Sequence, residues 1–78
     1  MNIKKHGVDF STAVIAFKDP DIRIFLDVGH SRHEVRWFCL GNIDGRILTV
    51  RFTYREKKIR IIGAGYWRKG ARYYHEKG

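Results

Sequence analysis

With 78 residues the chain has room for one domain and a thin core, since so short a chain buries only about 60–65% of the surface it exposes when unfolded. A hydrophobic fraction of 44% is ordinary for a globular domain, and an aromatic fraction of 14% argues against disorder. No apolar run approaches the roughly 18 residues of a membrane span, and the single Cys39 excludes an internal disulfide framework and fits a reducing cytoplasm. The charged N-terminus is not followed by the apolar stretch of a secretory signal. The net charge of +8 is unevenly placed: residues 1–45 hold six Lys/Arg against six Asp/Glu, and residues 46–78 hold ten against two. That asymmetry points to a polyanion or an acidic protein as partner, with RNA the leading candidate.

In chain order, Asp9 is a candidate helix N-cap. Phe10, Ala13, Val14 and Phe17 recur at helical spacing and predict an amphipathic helix facing the core. Asp19-Pro20 ends it, because proline cannot continue the ladder. Ile22 to Asp27 reads as a short strand, and Val28 to Arg32 as a loop. His33 to Gly41 and Arg46 to Arg55 read as strands around Asp44-Gly45, a strong hairpin signal. Lys58 to Ala64 forms a further strand after Glu56-Lys57, a weaker turn since neither residue favours positive φ. Tyr66 to Glu76 predicts a helix with Trp67, Ala71 and Tyr74 on one side, weakened at Gly70 by about 1 kcal/mol relative to alanine.

The two turns fix a register. With Asp44-Gly45 as turn residues, Cys39 faces Val50, Trp37 faces Phe52 and Val35 faces Tyr54. Arg36 then meets Thr53, Glu34 meets Arg55, and Phe38 lies opposite Arg51. With Glu56-Lys57 as the second turn, Tyr54 meets Ile59, Phe52 meets Ile61 and Thr53 meets Arg60. Both hairpins agree on one apolar face: Val35, Trp37, Cys39, Leu48, Val50, Phe52, Tyr54, Ile59 and Ile61. A slip of one residue in either would break that agreement. The other face carries Glu34, Arg36, Arg51, Thr53, Arg55, Lys58 and Arg60.

So many cations with one carboxylate repel one another across strands, and a face built for solubility would mix signs. Such a face suits an anion, and arginine engages phosphate with a planar fork. RNA cleavage without metal needs a base for the 2′-OH proton, cations for the phosphorane and an acid for the leaving 5′-oxygen. Glu34 or His30 is the candidate base. Arg36, Arg55 and Arg60 are candidates to hold the phosphate, and His30 or His33 is the candidate acid. A carboxylate among arginines stays ionised, which suits a base. Glu34 opposite Arg55 also reads as a cross-strand ion pair, which does not exclude catalysis. His6, His30, His33 and His75 have no ligand spacing, so neither metal nor cofactor is expected. Asp27, His30 and Ser31 lack a nucleophile elbow. Tyr66, Trp67, Tyr73 and Tyr74 lie among Arg68, Lys69 and Arg72, a base-stacking composition. The alternative is that Trp67 and Tyr74 pack the tail onto the sheet.

Lys5-His6-Gly7-Val8, Phe10, Asp19-Pro20, Asp27-x-x-His30-Ser31-x-x-Glu34-x-Arg36, Gly45-Arg46, Phe52-Thr53-x-Arg55 and Arg60-Ile61-Ile62 together resemble the BrnT toxins of bacterial type II toxin–antitoxin pairs. The resemblance covers nearly the whole chain. It implies a single domain over residues 1–78 with an α+β, RelE-like fold: an antiparallel sheet of three to four strands, with an N-terminal and a C-terminal helix packed against one side. It implies a metal-independent endoribonuclease that arrests growth in the cytoplasm, away from membranes. It also implies a BrnA-like antitoxin that covers the toxin and supplies a DNA-binding domain, so that the complex represses its own operon. The family's polar positions fall on Lys5, His6, His30, Glu34, Arg36, Arg55 and Arg60. Four of these, Glu34, Arg36, Arg55 and Arg60, are placed together by register alone. The expected catalytic set is thus His30, Glu34, Arg36, Arg55 and Arg60, with Lys5, His6, Arg51, Lys58, Arg68 and Lys69 as RNA-binding residues. Many members end the last strand with Ser-Ala-Arg, where this chain reads Gly63-Ala64-Gly65; Arg68 or Lys69 is the candidate substitute for that arginine. Members also commonly carry a short strand and a longer first helix before Lys-His-Gly, so either the sheet lacks that edge strand or an upstream part supplies it. The alternative functions are a non-catalytic nucleic-acid-binding module and a toxin homologue that only binds its antitoxin.

Overall fold

A computed structural model describes residues 10–30 and 34–76, for His30 the backbone only. The elements are α1 (Phe10–Ala16), β1 (Arg23–Leu26), a 3-10 turn (Val28–His30), β2 (Arg36–Ile43), β3 (Arg46–Arg55), β4 (Lys58–Gly65) and α2 (Arg68–His75). The strands form one antiparallel sheet in the order β1-β2-β3-β4. Asp9, offered as the N-cap of α1, lies outside the described residues.

Both hairpins close with two-residue turns. Asp44 and Gly45 have φ of 52° and 90°, as a type I′ turn requires, and the Asn42 side-chain carbonyl accepts from the Gly45 amide at 2.8 Å. Glu56 and Lys57 have φ of 53° and 65°, so the weaker turn adopts the same geometry without a glycine. The register is the one the turns imply: Arg36 pairs with Thr53, Trp37 with Phe52, Thr53 with Arg60 and Tyr54 with Ile59. Beyond Phe52 the β3–β4 pairing shifts by one residue, with Ile62 as the extra residue. This bulge keeps Ala64 on the same face as Val50, and it places Gly65 opposite Thr49 on the other face.

The helices lie on opposite faces, a correction to the one-sided packing that the resemblance implied. Ala13 and Ala16 of α1 join Cys39, Leu48, Val50, Phe52, Ile61 and Ala64 in the main core, and Phe17 meets Phe52 edge-on at 5.2 Å. Helix α2 packs on β2 and β3 from the other side. There Gly70 lies against Thr49 and Leu40, and Tyr73 approaches Phe25, itself stacked on Phe38 at 5.1 Å. The reason is visible in the strands. The face opposite the main core begins charged but becomes apolar toward Leu40 and Ile47, which are buried and need cover.

The main-core face is likewise only partly closed. Val35, Tyr54 and Ile59, expected in the core, are 51%, 60% and 45% exposed, because α1 is only seven residues long and covers one end of the sheet. Burial pushes the Cys39 thiol up to about 12, which leaves it an inert packing residue.

Candidate active site at the charged end of the sheet

Glu34 lies in the bend before β2, and Arg55 is the last residue of β3. The hairpin register brings them together, and Arg55 Nη2 donates to Glu34 Oε2 at 2.6 Å. This hydrogen bond, followed by the charges of Arg55, Arg36 and Arg60, holds the Glu34 carboxyl below its ordinary value. The Arg55 guanidinium is held above its own ordinary value, first by the same hydrogen bond and then by the Glu34 charge. Both groups meet solvent, with side chains 52% exposed at Arg55 and 32% at Glu34, so the carboxylate is ionised, accessible and flanked by cations.

Beneath this group Thr53 is buried between its partners Arg36 and Arg60. Its hydroxyl donates to the Val35 carbonyl at 2.7 Å. That bond pins the chain next to Glu34, a positioning role that residue type alone did not signal. Arg51 and Lys58 are exposed on the same face. His30 ends the 3-10 turn, and its side chain is not described. Lys5, His6 and His33 also lie outside the described residues.

The cationic tail divides. Arg68 is exposed at the start of α2. Lys69 instead lines a cleft of about 960 Å³ between α2 and the sheet, together with Phe38, Arg51, Trp67 and Tyr73. The indole of Trp67 lies on Gly65, so close that a β-carbon at that position would stand 2.8 Å from the ring. Thus the place a side chain at position 65 would take is filled by Trp67, which is why the glycine and the tryptophan belong together. Tyr66 packs against the main core, under the Arg46 guanidinium at 3.8 Å. Tyr74 donates to Asp19. The aromatic cluster therefore splits: Tyr66 and Tyr74 are structural, and Trp67 and Tyr73 line the cleft. Phe38 was legible as a neighbour of Arg51 from the register.

Among the described residues no three His, Cys, Asp or Glu side chains come together as a metal cluster, and no helix is long and apolar enough to cross a membrane.

The family model for the ribonuclease toxin BrnT of type II toxin–antitoxin systems matches residues 1–70. No curated protein matches the chain significantly. The match takes in all four strands together with Glu34, Arg36, Arg55 and Arg60, and the chain belongs to the BrnT family of ribonuclease toxins, whose members act on RNA and are paired with an antitoxin.

Proposed function

We propose that the ribonuclease activity resides at the charged end of the sheet, with Glu34 as general base. Its ionised carboxylate takes the 2′-OH proton, and the 2′-oxygen attacks the adjacent phosphorus. The bond to the 5′-oxygen breaks, leaving a 2′,3′-cyclic phosphate and a 5′-hydroxyl. Arg36, Arg55 and Arg60 stabilise the charge that builds on the phosphorane. His30, four residues before Glu34, is the residue proposed to protonate the leaving oxygen. Arg51 and Lys58 extend the phosphate track, and Lys5, His6, Arg68 and Lys69 are proposed to contact RNA beyond it. The scheme requires no metal, and the partner is a BrnA-like antitoxin that carries the DNA-binding function of the complex in the cytoplasm.

The observation that carries this reading is the Glu34–Arg55 pair at 2.6 Å within the field of Arg36 and Arg60. A base kept ionised by three cations, exposed to an incoming strand, is what 2′-OH activation needs.

The test is cleavage of single-stranded RNA by the purified chain in EDTA. Glu34→Gln is expected to slow it by about a hundred- to ten-thousand-fold while leaving the folded spectrum intact. The base must be ionised, so the acidic limb of the rate profile should lie below 4.5, the ordinary carboxyl value. Arg55→Ala should move that limb upward. Wild-type rates from a Glu34→Gln variant would refute the assignment.

A further inference from the structure

We propose that the cleft between α2 and the sheet is a nucleobase subsite, which takes an unstacked base one nucleotide away from the phosphate held by Arg36, Arg55 and Arg60 beside Glu34; this rests on the charged end being the cutting site. Phe38 and Arg51 form the cross-strand pair next along the face from Arg36 and Thr53. Two residues along a strand advance about 7 Å, the scale of one nucleotide step in an extended single strand. The cleft thus opens on the same face as the cations and one step further along.

Its lining suits a base. The Trp67 ring packs against Gly65, and the residue remains 37% exposed. Tyr73, 38% exposed, faces the cleft under the Lys69 ammonium at 5.9 Å. Phe38 supplies apolar surface from the sheet. Arg51 and Lys69 bring positive charge to the rim, and Asp27 is the one carboxylate among the lining residues. Aromatic faces beside cations bind single strands by stacking plus phosphate attraction. A volume of about 960 Å³ accommodates a nucleotide with its ribose, within the range of small-molecule sites. An apolar peptide side chain from a protein partner would not call for two cations at the rim, so the charge favours RNA.

The test uses the full chain carrying Trp37→Phe, so that Trp67 is the only tryptophan, and a single-stranded RNA oligonucleotide with 2′-O-methyl groups, which cannot be cleaved. Binding should quench Trp67 fluorescence. Trp67→Ala should weaken binding about 5- to 100-fold. Replacing one nucleotide of the oligonucleotide by an abasic residue should weaken it similarly, and the two changes together should cost little more than either alone. Tyr73→Leu gives a second handle if Trp67→Ala fails to fold. RNA binding without quenching, or abasic and Trp67→Ala effects that add in full, would overturn the subsite while leaving the cutting site standing. Unchanged RNA affinity with loss of antitoxin binding in Trp67→Ala would assign the cleft to protein, also overturning it. Absence of RNA cleavage by the unsubstituted chain would instead sink the cutting site itself, so the two failures are separable.

Discussion

The Asp19 carboxylate accepts from the Asp21 amide at 2.9 Å, from the Asn42 amide at 2.8 Å and from the Tyr74 hydroxyl at 2.5 Å. One residue thereby ties the end of α1 to β2 and to the last turn of α2. The Tyr74 bond is the leading cause that holds the Asp19 carboxyl below its ordinary 3.8, and it pushes the Tyr74 hydroxyl from 10.0 up to about 12. A lowered carboxyl stabilises the fold above its unfolded value and loses that contribution as pH falls through its folded value. A raised phenol contributes fully below 10.0 and loses its contribution as pH rises toward 12. Tyr74→Phe should therefore cost about 1 kcal/mol near neutrality, the partial exposure of both groups keeping it modest. Urea unfolding across pH should show the difference from the unsubstituted chain vanish at both extremes. In the sequence, Asp19 was legible as part of a helix stop and of a family motif but not as a tie between elements, because its tertiary partners are 23 and 55 residues away.

At the scale of elements, α2 rests on the sheet at Gly70. A β-carbon there would collide with the Thr49 hydroxyl and come 3.1 Å from Leu40 Cδ2. In an exposed helix Gly→Ala would stabilise by about 1 kcal/mol; here Gly70→Ala should destabilise by about 1–3 kcal/mol through overpacking. Thr49→Ala in the same chain should recover part of that loss, since the Thr49 hydroxyl is buried without a hydrogen-bond partner among the described residues. Comparing the denaturation midpoints of the single and double variants checks both statements. The β3–β4 turn gives the opposite sign. Glu56 and Lys57 hold left-handed φ values that disfavour L-residues with side chains. Replacing them with Asn-Gly should stabilise the chain by about 1 kcal/mol, raising Tm by about 4–8 °C.

For the whole molecule, one face of the sheet divides between two tasks. Its apolar end is buried under α2, and its charged end presents Arg36, Arg55 and Arg60 around Glu34, with Arg51 and Lys58 on the same face. With Glu34 neutralising one cation, the proposed site would set four net charges against RNA, and log Kd against log salt should have a slope of about 3. Arg60→Ala should weaken binding of a 2′-O-methyl RNA and lower that slope by about 0.7. Electrophoretic titration at several salt concentrations measures both.

Much of the fold and of the site was legible from alternation and turn chemistry. Because side chains alternate with a period of two, a correct turn at Asp44-Gly45 is enough to bring Glu34 to Arg55 and Arg36 to Thr53, the turn at Glu56-Lys57 adds Arg60 beside Thr53, and family motifs mark the same residues. Strand ends were less legible: β2 runs to Ile43, beyond the expected Gly41, since the two-residue turn lets pairing continue to Arg46. The bulge at Ile62 carried no local signal, yet it decides that Gly65 faces Trp67.

The sequence by itself thus determined the hairpin register, the charged face and the family, all encoded by residues near one another or by motif spacing. Only the tertiary structure decided which end of each face is covered, that the helices take opposite sides, and that Trp67 and Tyr73 open onto a cleft while Tyr74 binds Asp19. Those outcomes depend on helix length, on one glycine contact and on bonds between distant residues, none of which leaves a periodic trace along the chain.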